Sequence, residues 1–136
     1  MAGYSKTPLV KKLGIKAGHG ASVINPPENF LTKELQPLPE KVRINVAQTG
    51  KPLDFIMLFV DSAKALSKEF PRLKVKLARD GIFWVSWPKK SSGLETDLSF
   101  GVVQQIGLKI GLVDVKICAV NDIWSGLKFV YRLKDR

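Results

Sequence analysis

The order of apolar and polar positions along the chain predicts strands that alternate with helices. The segment DFIMLFV, Asp54 to Val60, is continuously apolar after its first residue, which is typical of a parallel strand covered on both faces. We therefore place it at the centre of a sheet. The segment KVRINVAQ alternates Val42, Ile44 and Val46 with polar neighbours, and this two-residue period predicts a half-exposed strand at the edge of the sheet.

Two helices are predicted from apolar positions that recur every three or four residues. The first begins after Ser62, should be bent or split by Pro71, and should close at Gly81. Its buried stripe would be Ala63, Leu66, Phe70, Leu73 and Leu77. The second has Thr96 as its N-cap and ends at Gly111. Its buried stripe would be Leu98, Val102, Val103, Ile106 and Ile110.

Shorter segments complete the pattern of elements. TPLVKKLG predicts a short surface helix with Thr7 as its N-cap and Gly14 at its exit. Ala21 to Asn25 predicts a brief strand, and Asn25 should cap a helix that starts within NPPE and carries Phe30. The aromatic run IFWVSW predicts another strand, while LVDVKICAV and LKFVYRL predict an antiparallel pair joined by the turn NDIWSG.

Together these elements predict an α/β fold in a single domain, residues 1–136. The expected architecture is an open, mostly parallel sheet with helices on both faces and a C-terminal antiparallel strand pair. A chain of 136 residues suits one hydrophobic core. Its 45% hydrophobic and 25% charged residues exclude a disordered or collagen-like chain.

Charge and cysteine content bear on the compartment and the partners. The net charge of +10 favours anionic partners by long-range attraction, although lysines scattered from Lys6 to Lys134 are also typical of a solvated basic surface. Cys118 is the single cysteine, so the chain forms no internal disulfide and suits a reducing compartment. Because there is no apolar run of signal-peptide or membrane-spanning length, we expect a cytoplasmic protein without a membrane partner.

Two loops carry the residues that we predict to bind a ligand. PKKSSG and NDIWSG each follow a strand of the expected parallel sheet, and ligands of such sheets gather at the carboxyl ends of the strands. A helix starting at Thr96 would add a positive dipole end. The candidate ligand-binding residues are Trp87, Lys89, Lys90, Ser91, Ser92, Thr96, Asn121, Trp124 and Ser125. In the structural alternative, the indoles only cover the end of the sheet and the Ser-Gly pairs only turn the chain.

Other chemically distinctive residues favour structural roles. His19 is the sole histidine and has no partners at a metal-ligand spacing, so we predict no metal site. Cys118 lies within an apolar strand, where a free cysteine usually acts as a small hydrophobe. The densest basic run, Arg72 to Arg79, fits the favourable placement of cations at the end of a helix. That explanation requires no nucleic acid.

Two resemblances to known families follow from particular segments. YSKTPLVKKLGIKAG, DGIFWVSWPKKSSGLETDL and GLVDVKICAVNDIWSGLKFVYRLKDR resemble a family of small bacterial proteins catalogued only as a domain of unknown function. More loosely, LGIKAGHGASVIN, LDFIMLFV and LARDGIFWVSWPK, followed by a helix and a strand pair, resemble a shortened Rossmann-type methyltransferase fold. Leu77, Gly81 and Trp84 match the turn and strand that precede the last helix of that fold.

The chain departs from the methyltransferase pattern after its first strand. Methyltransferases of that fold have a glycine-rich loop there for S-adenosylmethionine, whereas this chain has Asn25-Pro26-Pro27-Glu28. Prolines donate no amide hydrogen, and no glycine lets the backbone approach the cofactor closely. The chain also lacks a strand and helix between KVRINVAQ and DFIMLFV. The resemblance therefore implies the fold, and not the usual cofactor site.

Three functions remain open at this point. The leading expectation is a non-catalytic module, without a cofactor, that binds an anionic small molecule or a protein partner at the rim formed by the two loops. The alternative is a degenerate S-adenosylmethionine-dependent methyltransferase-like enzyme with Asp61 or Asp97 as a polar anchor or base. A weaker alternative is a basic nucleic-acid accessory protein, whose non-specific binding would fall steeply with salt.

Overall fold

A six-stranded sheet organises the structure, a computed structural model that describes residues 7–45 and 51–136. The strands are β1 (Gly20–Ile24), β2 (Arg43–Ile44), β3 (Leu53–Phe59), β4 (Leu77–Pro88), β5 (Leu112–Ala119) and β6 (Trp124–Tyr131). The α-helices are α1 (Leu9–Leu13), α2 (Ala63–Lys74) and α3 (Phe100–Lys109). Short helical turns cover Phe30–Glu34, Lys90–Ser92 and Leu133–Asp135.

The strand order is β2-β1-β3-β4-β6-β5. β2, β1, β3 and β4 are parallel, and β6 runs antiparallel to both β4 and β5. The predicted fold class is therefore confirmed, with the apolar β3 inside the sheet and the half-exposed β2 at its edge. Val46, which belonged to the predicted edge strand, lies outside the described residues.

Side chains of successive strand residues point to opposite faces of the sheet, and each face packs against other elements of the chain. On one face, Phe83 of β4 packs with Phe70 of α2 and Val103 of α3. On the other face, Trp84 packs with Leu13 of α1 and with Phe30. We call these the α2/α3 face and the α1 face. The predicted surface helix α1 is thus part of the core.

Helix α2 differs from its prediction at Pro71 and at its end. The helix runs unbroken through Pro71. Proline at this position removes the hydrogen bond to the Ser67 carbonyl, but both residues are exposed and water can replace the donor. Leu77 and Gly81 belong to β4, where a Cβ at Gly81 would lie 2.9 Å from the Ala78 oxygen. Gly81 therefore marks a close backbone approach beside an irregularity in the β3–β4 pairing.

Helix α3 begins later than predicted. Ser99 is its N-cap, and the Ser99 Oγ accepts a hydrogen bond from the amide of Val102. Thr96 is not a cap, because its hydroxyl bonds to residues before the helix. The end of the helix is as expected, with Gly111 in the left-handed region at φ 97°.

The two N-terminal helix starts were also predicted incorrectly. The N-cap of α1 is Pro8 rather than Thr7, while Gly14 ends that helix as expected. The helix expected to start within NPPE is a five-residue π-helical turn that begins only at Phe30. The backbone is left-handed at Asn25 and Asn29, with φ of 57° and 68°, so the chain turns twice before a helix can form.

Candidate functional site

The carboxyl ends of β1, β3 and β4 meet at one edge of the sheet, which we call the carboxyl edge. The two predicted loops adjoin there. Trp87 and Pro88 of β4 pair with Ser125 and Trp124 of β6, and the amide of Lys89 donates a hydrogen bond of 2.7 Å to the carbonyl of Ile123. PKKSSG and NDIWSG are therefore neighbours in the fold.

The two indoles of the predicted rim lie on opposite faces of the sheet. Trp87 is only 5% exposed and packs with Leu98 in the core of the α2/α3 face. Trp124 is half-buried and packs on the α1 face, where its ring meets that of Phe59 edge-on at 5.1 Å. The two indoles therefore share the carboxyl edge but not a face of the sheet, because Trp124 pairs with Pro88 and not with Trp87, and the pleat separates them.

The polar groups of the predicted rim mostly hold the loops together. Ser92 Oγ donates to the Lys89 carbonyl and accepts from the Leu94 amide. Ser125 supplies the carbonyl that accepts from Ser86 Oγ. The hydrogen-bonding capacity of Ser92 is thus used within its own turn.

Thr96 and Asn121 join separate loops of the carboxyl edge. Thr96 Oγ1 donates a 2.6 Å hydrogen bond to the Asp61 carbonyl and accepts from the Leu98 amide. Asn121 Oδ1 accepts from the amides of residues 123 and 124, and its Nδ2 donates to Glu34 Oε1 at 2.7 Å. Both side chains thus hold loops in place. The sequence alone does not distinguish this structural role from ligand binding.

The charge of the carboxyl edge is mixed. Lys90 and Ser91 are exposed at the rim and Lys89 is half-buried. Exposed carboxylates stand in the same group of loops, namely Asp61, Glu95, Asp97 and Asp122. This edge therefore lacks the one-sign charge that concentrates anions from solution.

A hollow of about 310 Å³ opens at the carboxyl edge between β1 and β3. Its lining residues are Asn25, Phe59, Val60, Asp61, Ala65 and Trp124. β2 and β3 lie on opposite sides of β1, so this is the switch point of the sheet, where α/β proteins bind ligands. The volume is at the lower end for small-molecule sites. Of the predicted rim residues, only Trp124 lines the hollow.

The amides at the start of α2, beside the hollow, are already bonded to protein groups. The amide of Ala63 donates to Asp97 Oδ1 at 2.8 Å, and that of Ala65 donates to Ser62 Oγ at 3.1 Å. Asp97 thus acts as a cap for another helix. These amides offer little to a ligand phosphate, whereas the exposed carboxylate of Asp61 can meet a cation.

The loop after β1 is the test of whether S-adenosylmethionine fits. Asn25 and Asn29 adopt the left-handed conformation that glycine usually supplies, so the loop turns tightly without glycine. Pro26 and Pro27 still donate no amides. The residues that line the hollow include the half-buried Trp124 and the exposed Asp61. These groups suit the adenosyl ring and the positive sulfonium and ammonium centres of the cofactor.

The sole histidine and the sole cysteine of the sequence are both half-buried. Nδ1 of His19 accepts from the Lys16 amide at 3.2 Å. Burial raises the pKa of the Cys118 thiol, against the smaller opposing effects of Lys12 and Lys116. Within residues 7–45 and 51–136 there is no group of three His, Cys, Asp or Glu side chains able to hold a metal ion. None of the helices in this part of the chain has the length and apolar character needed to cross a membrane.

Several solved structures with a similar fold are methyltransferases. A SAM-dependent methyltransferase from Aquifex aeolicus has a TM-score of 0.60 at 13% identity, over 89% of this chain and 86% of that one. DhpI in its SAH complex has a TM-score of 0.64 at 7% identity, over 93% and 83% of the two chains. A TehB-like SAM-dependent methyltransferase from Corynebacterium glutamicum has a TM-score of 0.53 at 9% identity, over 96% and 91%.

These similarities establish the fold, and the predicted shortened methyltransferase-like Rossmann fold is confirmed. No family model matches the chain, and no curated protein matches it either. The resemblance to the bacterial family of unknown function therefore stays a prediction.

Sequence reasoning missed most of the hollow. The sequence predicts Asp61 as an anchor, but it predicts Asn25 as a helix cap and includes Phe59 only in the apolar run of the central strand. The available signal was the position of Asn25 directly after β1 and of Asp61 two residues after β3, because these strands are parallel neighbours.

Proposed function

We propose that this protein is a reduced, methyltransferase-like enzyme that binds S-adenosylmethionine in the hollow between β1 and β3. The observation that carries the proposal is the coincidence of three features. The fold is methyltransferase-like, the hollow lies at the switch point of its sheet, and a carboxylate and an aromatic wall line it. When bound, the cofactor supplies a methyl group on a positively charged sulfur.

The chain's own residues would hold and orient this ligand. The half-buried Trp124, which meets the buried Phe59 edge-on at an interplanar angle of 85°, offers an apolar surface against which a purine ring can pack. The Asp61 carboxylate favours the cationic groups of the ligand by charge. The Thr96 hydroxyl fixes the Asp61 backbone through a 2.6 Å hydrogen bond, which orients the segment that carries the carboxylate.

Anion binding at the rim of the two loops has less support. Ser92, Thr96 and Asn121 already bond within the protein. Trp87 is buried on the opposite face from Trp124. The rim would therefore hold an anion mainly through the ammonium groups of Lys89 and Lys90, and these share the edge with several carboxylates.

Isothermal titration with S-adenosylmethionine, adenosine and inorganic phosphate tests the proposal directly. We expect S-adenosylmethionine and adenosine to bind. Phosphate should show no detectable binding and should not compete with either of them. Trp124 should report binding through its fluorescence, because Trp84 and Trp87 are buried. In Trp124→Phe the fluorescence change should disappear while the heat of binding remains.

Replacing the hollow's carboxylate should weaken binding of the charged ligand selectively. We expect Asp61→Asn to lower the affinity for S-adenosylmethionine about two- to fivefold, the range for one exposed charge pair, and to leave adenosine binding unchanged. Asp122→Asn is the matched control, since Asp122 is exposed at the same edge but does not line the hollow.

Two results would contradict the proposal. One is the absence of binding by any adenosyl compound. The other is stabilisation by phosphate that Lys89→Ala with Lys90→Ala abolishes, which would favour the non-catalytic anion-binding rim instead.

A further inference from the structure

Basic side chains from three separate parts of the chain gather at the edge opposite the hollow. α2 and α3 end there, β4 and β5 begin there, and β6 runs antiparallel and ends there. We call this surface the basic edge. Its cations are Lys74, Lys76, Arg79, Lys109, Arg132, Lys134 and Arg136. The carboxylates in the same segments are those of Asp80, Asp114 and Asp135, so the seven cations outnumber them.

Contacts within the basic edge fix several of these cations without neutralising them. Lys74 Nζ lies 5.4 Å from the centre of the Tyr131 ring, and Arg79 Cζ lies 4.9 Å from it. Arg79 also donates to the backbone carbonyl of Asp135 at 2.9 Å. Arg136 Nε donates to the Tyr131 carbonyl at 2.9 Å. Carbonyls and an aromatic ring carry no net charge, so the positive charge of these groups persists at the surface.

Arg132 Nη2 donates a hydrogen bond of 3.1 Å to the Leu108 carbonyl, and the three remaining cations lie on the surface. Lys76, Lys109 and Lys134 are exposed. They extend the charge across the ends of α2, α3 and β6. From the sequence, the run Arg72 to Arg79 is explained as cations that favour the end of a helix. That explanation accounts for Lys74, but it does not account for the cations that β6 and α3 bring to the same edge.

The chemistry of the basic edge selects a phosphate backbone. Guanidinium groups pair with phosphates through several donors, and Arg79 and Arg136 each retain N–H groups beyond the bonds named above. Tyr131 is only 7% exposed beneath two cations, so it cannot stack on a base. Insertion into a membrane requires a continuous apolar face, whereas the protruding apolar side chains in these segments are Val75 and Leu133.

We propose that the basic edge binds the phosphate backbone of duplex nucleic acid without reading its sequence. The charges supply affinity for phosphates. Single strands are usually bound by bases stacking on exposed aromatic side chains, and these segments have none. This inference does not depend on the proposed function, because the hollow lies at the other edge of the sheet.

Fluorescence anisotropy with a labelled short DNA duplex measures this binding. Each phosphate contact contributes about −0.9 to the slope of log affinity against log salt. We expect a slope of about −3 or steeper between about 50 and 200 mM salt, and similar affinities for unrelated sequences.

Charge reversals at the two edges separate local binding from overall charge. Lys76→Glu, Lys109→Glu and Lys134→Glu combined should weaken duplex binding at least about tenfold and reduce the slope by about 3. Lys33→Glu, Lys64→Glu and Lys90→Glu combined make the same change in net charge with exposed residues elsewhere, and should weaken binding less than about threefold. If the charge reversals unfold the protein, the same three lysines can be replaced by glutamine, which removes their phosphate contacts without adding carboxylates.

Three results would overturn the inference. The first is absence of duplex binding at low salt, and the second is equal weakening by the two triple variants. The third is binding of polyglutamate or of phosphatidylserine vesicles as tightly as of DNA, because it would assign the basic edge to an acidic protein or a membrane.

Discussion

Trp84 shows how a single side chain joins two parts of the fold. It is fully buried on the α1 face, and its Nε1 donates a 2.8 Å hydrogen bond to the Leu13 carbonyl at the end of α1. The carbonyls at a helix end lack intrahelical partners, so the indole satisfies a group that the helix itself cannot. The same ring fills the space above Gly126, where a Cβ would lie 3.1 Å from it.

Replacing Trp84 should therefore cost both packing and the hydrogen bond. We expect Trp84→Phe to lower the free energy of unfolding by about 2 to 4 kcal/mol, because it leaves a cavity and an unpaired buried carbonyl. Urea denaturation gives this value. Trp124→Phe is the control, since the half-buried Trp124 can keep its contact with Phe59 through a smaller ring, and its cost should be about 1 kcal/mol or less.

The Cys118 thiol gives a prediction of pH dependence. Burial raises its pKa, so the thiolate is disfavoured in the folded protein and not in the unfolded chain. The corresponding stability is complete at pH values below the ordinary thiol range and is lost as the pH rises through it. Alkylation by iodoacetamide should accordingly have its midpoint at higher pH in the native protein than in urea. A native midpoint at or below the unfolded one would contradict this.

At the scale of elements, α3 is held close to the sheet by a glycine. A Cβ at Gly107 would lie 2.0 Å from Cε1 of Phe129 in β6. Phe129 itself is fully buried and meets Phe70 of α2 at 5.1 Å. Both helices on this face therefore depend on the position of one ring. Glycine is unfavourable within a helix, so its presence here reflects the close approach.

Two glycines of α3 should respond in opposite ways to the same substitution. We expect Gly107→Ala to destabilise the fold by about 1 to 3 kcal/mol or more through overpacking. Gly101→Ala should be neutral or stabilising by up to about 1 kcal/mol, because nothing lies within 4 Å of its added Cβ and alanine favours helix. Thermal and urea unfolding measure both variants. Equal effects would show that helix propensity, and not packing on Phe129, decides stability here.

The elements that could be predicted from the sequence are those fixed by long apolar runs. β3 is buried on both faces, so its composition alone indicated a central strand. The start of α3 could not be chosen in this way, because Thr96, Asp97 and Ser99 all suit a helix cap. Their tertiary partners decide: Thr96 bonds to the Asp61 carbonyl, Asp97 caps α2, and only Ser99 remains for α3.

At the scale of the whole molecule, pairing register limited what could be predicted of the site. The order of elements placed PKKSSG and NDIWSG at one edge, and the structure brings them together. Whether Trp87 and Trp124 share a face depends on a one-residue offset between β4 and β6, which no local pattern encodes. The same limit hid the basic edge, since Lys109 and Arg132 are distant in sequence from the run that ends at Arg79.

The two proposed binding surfaces should act independently, because the sheet separates them. β3 spans seven residues between the edges, about 23 Å at the rise of a strand, whereas charges at physiological salt are screened over about 8 Å. We expect the affinity for S-adenosylmethionine to change less than about twofold when the basic edge is saturated with duplex DNA. Titration calorimetry with and without the duplex measures this. A larger change would require a conformational link through β3 and β4, since direct electrostatic coupling does not reach between the edges.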